Sequence, residues 1–229
     1  MSAFQRRCFA VAVVMGLIYL ALLPFKPYPL SWLLKPIPML LFALLAWRAY
    51  PGATGVCLGI GFVAAAAGDF FLDYGERDGL FIQALLAFLV NQLAFAAAFT
   101  RLSSAKPWLL WRMLPVTLYC LVLALWLVPA AGAYQSPVAI YLLCLFVMAI
   151  MACRVEQQVG LLWLGAMLFV IADSLIGVNK FAQPFPYAIP VIVTCYFTGQ
   201  TLIALGLLRL QPQTKGLNNF SAQTTQGMS

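Results

Sequence analysis

Residues 54–74 read TGVCLGIGFVAAAAGDFFLDY. Ten nearly pure apolar residues lead into four alanines, and then two carboxylates, Asp69 and Asp73, appear inside the same run. A second stretch, GAMLFVIADSLIG at 165–177, repeats the theme with Asp173 at its centre. An apolar run of about 20 residues is the length that crosses a bilayer as an α-helix. The first stretch therefore reads as a membrane span with acids near its end.

The rest of the chain agrees. Of 229 residues, 64% are hydrophobic and 8% charged, against about 25% charged in a soluble domain. No soluble interior hides that much apolar surface. The runs are continuous, unlike the roughly ten-residue alternating segments of a membrane barrel. Eight can be drawn, at 8–25, 29–47, 54–74, 80–100, 109–128, 137–153, 160–178 and 188–209. Breakers separate them: Pro27 and Pro29, Pro51-Gly52, Gly75, Pro107, Pro129, Pro137, Pro184 and Pro186. The fold class expected is all-α, a polytopic bundle of eight transmembrane helices in one domain, residues 1–210. Residues 211–229, QPQTKGLNNFSAQTTQGMS after Leu210, are polar and read as a disordered tail. Arg6 and Arg7 before the first run suit a signal peptide, but LALLPFKPYP offers no small-x-small cleavage site, so the run is read as the first helix.

The net charge of +7 does not imply nucleic acid, because the basic residues are spread one or two to a loop. That is how membrane proteins set their orientation. With eight spans, Arg6, Arg7, Arg48, Arg101, Lys106, Arg112, Arg154, Arg209 and Lys215 share one side, against Lys26, Arg77 and Lys180 on the other. Both termini are expected in the cytoplasm. Short loops suggest a bacterial inner-membrane protein. The six cysteines form no CxxC pair, and there is no histidine, so a metal site is not expected.

Depth now places the polar residues. Asp69 and Asp173 each lie about five residues below the outer end of an outward span, and Lys35 about six below the same face. At 1.5 Å per residue the three sit roughly 7–9 Å into the outer half of the membrane. Asp73 is one turn from Asp69 on the same helix face, near the interface, where it either supports the site or is simply solvated. Glu76, Arg77 and Asp78 read as solvated loop charges. Asn91 and Gln92 lie mid-span in the fourth helix, and Tyr196 and Gln200 one turn apart in the eighth.

Each ionisable group in a span costs about 2.5–3.5 kcal/mol on insertion scales. An ion pair of Lys35 with one aspartate offsets part of that but leaves the second acid unexplained. A polar cavity explains both. Two neighbouring carboxylates divide into one that holds a proton and one that stays ionised. That arrangement suits an acid–base catalyst. It equally suits a proton-coupled transporter of a small or lipid-like molecule, the main alternative. The small-residue approaches, Ala64–Gly68 and Gly165, Ala166 and Ala172, hint at an ancient duplication, parallel because the two spans run the same way. A purely structural role is the third class; it predicts that Asp69→Asn and Asp173→Asn are tolerated.

The order GDFFL (68–72), FLVNQLAF (88–95), LFVIADSLIGVNKF (168–181) and TCYFTGQTLIALG (194–206), with Lys35-Pro36 before them, resembles the YhhN-type membrane proteins, the lysoplasmalogenase family. The resemblance runs from about residue 30 to 208. It implies an eight-span hydrolase that cleaves the vinyl ether bond of lysoplasmalogens, giving a fatty aldehyde and a glycerophospho-alcohol such as glycerophosphocholine or glycerophosphoethanolamine. Its partners would be a lysophospholipid substrate and membrane lipids. The matching positions are Lys35, Asp69 and Asp173, and more loosely Tyr196 and Gln200. Members commonly carry His and Tyr where this chain has Gln92 and Phe95, a departure that bears on substrate and rate more than on fold.

The chemistry fits the residues on separate grounds. A vinyl ether hydrolyses by protonation of its β-carbon to an oxocarbenium ion, which water attacks. The reaction needs one acid, one carboxylate to steady charge and direct water, and neither metal nor cofactor. Glycosidases meet the same cation with two carboxylates. Asp173 is expected as the acid and Asp69 as the water-directing base. Lys35 would set their charge balance or meet the lipid phosphate, and Asn91, Gln92, Tyr196 and Gln200 would line the pocket.

Overall fold

The computed structural model describes residues 1–74, 79–103 and 111–210. Glu76, Arg77, Asp78, Lys106 and the polar tail from 211 lie outside the described residues. Among the described residues, eight helical stretches are long and apolar enough to cross a membrane. The protein is an all-helical integral membrane protein.

Helix α1 spans Ala3–Leu22 and starts earlier than the apolar run alone predicts. The cause is a capping box: the Ser2 hydroxyl accepts from the Gln5 amide, and the Gln5 side chain accepts from the Ser2 amide. A single tight turn, Leu23–Phe25, closes it. The second span is two helices, α2 (Ser31–Leu34) and α3 (Ile37–Ala49). Pro36 and Pro38 bring no N–H to the backbone ladder, so the helix is interrupted at Lys35-Pro36, where the expected span is unbroken. Helix α4 covers Gly52–Tyr74, α5 Phe81–Leu102, α6 Met113–Ala130, α7 Gln135–Cys153, α8 Val159–Gly177 and α9 Ala188–Leu210. A π-helical turn, Val178–Ala182, prolongs α8.

Two helix pairs form the centre, α4 with α5 and α8 with α9. Glycines let each pair close. A Cβ on Gly61 would stand 2.5 Å from the Phe95 ring, and one on Gly165 would stand 2.8 Å from the Gly199 carbonyl oxygen. Phe42, Phe62, Phe95 and Phe99 fill the space between α3, α4 and α5. On the outside, α1 and α6 expose Val11, Val14, Leu17, Leu118, Val122 and Leu125. Such faces call for an apolar surrounding such as lipid rather than water.

Candidate active site

The small residues before Asp69 decide how it is held. Gly68 lets α5 approach so closely that a Cβ there would meet the Phe88 ring at 2.7 Å. Phe88, Phe169 and Phe197 surround the ring of Tyr196. That cage aims the Tyr196 hydroxyl from α9 at α4, where it donates to Asp69 Oδ2 at 2.8 Å. The Lys35 ammonium, set at the break between α2 and α3, stands 3.3 Å from Asp69 Oδ1. The ion pair foreseen for Lys35 therefore forms with Asp69, which is 1% exposed.

Asp173 has different company. Its Oδ2 accepts from the Tyr141 hydroxyl and from Gln92 Nε2, the latter at 3.1 Å. Both donors are neutral, and Oδ1 has no hydrogen-bond partner. Asp173 and Tyr141 are the polar members of an otherwise apolar pocket of about 470 Å³, open space at its mouth included. Phe81, Leu85, Leu127, Leu142 and Phe181 line the rest.

The expected polar cavity shared by both acids is not what forms: Asp69, Lys35, Asn91, Gln92, Tyr196 and Gln200 pack in the helix interior and are not in the wall of this apolar pocket. Gln200 is fully buried one turn from Tyr196, and neither end of its amide has a partner. Asn91 does not join the carboxylates; its amide donates to the Gly61 carbonyl at 2.8 Å and ties α5 to α4. Asp73 is not solvated. It pairs with Lys26 and accepts from Tyr19 at 2.7 Å. Burial lowers the Lys26 ammonium below the ordinary lysine value, with Asp73 opposing the shift.

Sequence reasoning missed Tyr141, Tyr19 and Lys26. A tyrosine in a span usually reads as an interfacial anchor, and Lys26 read as a loop charge. The faint signal for Tyr141 is a lone hydroxyl in YLLCLFVM (141–148).

A model described as the YhhN family matches residues 30–207, a range that holds Lys35, Asp69, Gln92, Tyr141, Asp173 and Tyr196. The chain belongs to the YhhN family. It is similar to the lysoplasmalogenase TMEM86A of Bos taurus, 32% identical over 165 residues that cover 68% of this chain and 66% of that protein. The human TMEM86A gives the same identity over 69% of this chain and 66% of its own length. The human lysoplasmalogenase TMEM86B is 34% identical over 197 residues, 79% of this chain and 77% of its own. The match thus spans just under two thirds of the TMEM86A relatives. No solved structure matches this YhhN-family chain.

Proposed function

We propose that the protein is a lysoplasmalogenase, a membrane-embedded hydrolase of the vinyl ether bond in a lysophospholipid. The reading rests above all on the contrast between its two buried carboxylates: Asp69 is matched by the Lys35 cation, while Asp173 has neutral donors, a free Oδ1 and a place in the wall of an apolar pocket. The relatives named lysoplasmalogenase supply the substrate.

In this mechanism the alkenyl chain lies in the pocket and Asp173 gives the proton on Oδ1 to the β-carbon. The oxocarbenium ion forms beside the Asp69 carboxylate. Water adds to the cationic carbon and leaves its proton on Asp69. The hemiacetal hydroxyl then returns a proton to Asp173, the carbon–oxygen bond breaks, and the departing glycerol oxygen takes the proton held by Asp69. An aldehyde and a glycerophospho-alcohol leave, and both acids regain their starting states. Tyr141 and Gln92 hold Asp173 in place, Tyr196 holds Asp69, and Lys35 balances its charge. Gln200 offers its free amide to the water or the glycerol hydroxyl. The helices form one domain in a bacterial inner membrane.

The experiment is aldehyde release from 1-alkenyl lysophospholipid by the purified protein in detergent. Wild type should release aldehyde, and Asp69→Asn and Asp173→Asn, folded by thermal unfolding, should lose about 10²–10⁴ in rate. Full activity in either folded variant would remove that residue from the chemistry. No aldehyde from wild type would sink the hydrolase reading.

A further inference from the structure

A second ion pair is buried near this centre. Asp73 lies one turn beyond Asp69 on α4, and its Oδ1 takes both the Tyr19 hydroxyl and the Lys26 ammonium. Lys26 Nζ also donates to the Tyr19 oxygen at 3.0 Å and lies 5.2 Å from the centre of its ring. The side chains differ in access: Lys26 is 27% exposed, Asp73 5%.

A pair built only to tie the α1–α2 linker to α4 would use its polar atoms fully. Here Asp73 Oδ2 is buried with no partner, and so is the hydroxyl of Tyr28 on the same linker. Tyr28 is two residues from Lys26 on that short linker. Buried polar groups are nearly always satisfied, so an unused acceptor and an unused donor in one cluster point to something that completes them. Lys26 adds to the offer: an ammonium has three donors, and two are in use.

The charges select the ligand. Lys26 and Asp73 cancel, so the cluster has no net pull on a free anion. It is complementary to a zwitterion. We propose that Lys26, Tyr28 and Asp73 form a headgroup subsite for a phosphodiester bearing a primary ammonium, the phosphoethanolamine end of a lysophospholipid. The phosphate oxygens meet Lys26 Nζ and the Tyr28 hydroxyl, and the ammonium donates to Asp73 Oδ2. The inference rests on the hydrolase reading for the rest of the ligand. Chain, ether and headgroup then follow Asp173, Asp69 and Asp73 in turn. A quaternary ammonium has no N–H and leaves Asp73 Oδ2 without its hydrogen bond. The expected discrimination is on the order of tenfold, which corresponds to 1.4 kcal/mol.

The test separates binding from turnover. 1-Acyl lysophosphatidylethanolamine and 1-acyl lysophosphatidylcholine of one chain length carry no vinyl ether. Their affinities for the full-length protein in detergent are read from titrated thermal-unfolding shifts. Wild type should bind the ethanolamine lipid about tenfold tighter; Asp73→Asn should abolish the ratio, and Lys26→Met should weaken both lipids. Should the variants fail to fold, wild type decides alone with the N-methylated series. Mono- and dimethyl headgroups keep an N–H, so affinity should hold through them and fall at the third methyl. Equal affinity across the series overturns the subsite. Aldehyde release with equal affinities would leave the hydrolase standing and remove the subsite; the step at the third methyl without aldehyde release would do the reverse.

Discussion

Gln92 and Tyr196 stand at equivalent places in the two central helix pairs, and each donates to the aspartate of the other pair. A shift of 104 residues carries Asp69 to Asp173 and Gln92 to Tyr196. The same shift carries Gly61 to Gly165 and Phe95 to Gly199, and both of those pairs are close interhelical approaches. The pattern is that of a parallel internal repeat whose halves exchange their polar contacts. The third partner breaks the symmetry: a cation, Lys35, beside Asp69, and a phenol, Tyr141, beside Asp173. The asymmetry gives two like acids unlike surroundings.

Removing Lys35 tests that division. Lys35→Met leaves Asp69 buried without its counter-charge, and breaking a buried pair costs about 3–5 kcal/mol. Adding Asp69→Asn should recover most of the loss. Thermal unfolding of both single variants and the double gives the coupling; additive effects would show the pair to be idle.

Gln92 holds Asp173 by one hydrogen bond, and imidazole can replace it. Gln92→His should keep aldehyde release near the wild-type rate. Gln92→Leu removes the donor and should slow release at least about tenfold, the lower worth of a hydrogen bond to a charged group. Equal rates for His and Leu variants would take Gln92 out of the site.

The close approach of Gly165 to Gly199 carries a structural prediction. A Cβ at Gly165 has backbone atoms of α9 within 2.9 Å, so Gly165→Ala should destabilise the protein by about 1–3 kcal/mol. Tyr196 is on the displaced helix, so the rate should fall as well. An unchanged unfolding midpoint would mean that the helices separate freely.

The loop charges predict an orientation that can be read directly. Reporter fusions after Arg154 and after Lys180 should report cytoplasm and exterior respectively. The opposite pattern would place the Asp73 end of the bundle inside the cell and reverse the side from which lipid arrives.

The spans were legible because apolar runs and proline breaks mark them without reference to any neighbour. So were Asp69, Asp173 and Lys35, since charge within an apolar run stands out and depth puts the three in one layer. Their partners were not. A helix that is apolar on every side gives no periodic stripe to say which face turns inward, so nothing aimed Tyr141 at Asp173 or Asn91 at Gly61. The Asp73–Lys26 pair escaped for another reason: it depends on how the linker folds back over α4. Interruption of the second span was written in Pro36 and Pro38, and the hydropathy of the run masked it.

The exchanged contacts also set an order in time. Asp173 emerges from the ribosome after both its donors, Gln92 having been made 81 residues earlier and Tyr141 32 residues earlier. Asp69 must wait 127 residues for Tyr196, on the order of 10 s at ordinary rates of synthesis. Through that interval Lys35, already made, is its available counter-charge. An ion pair placed at the break in the second span thus escorts the first acid into the bilayer until the last helix arrives to lock it.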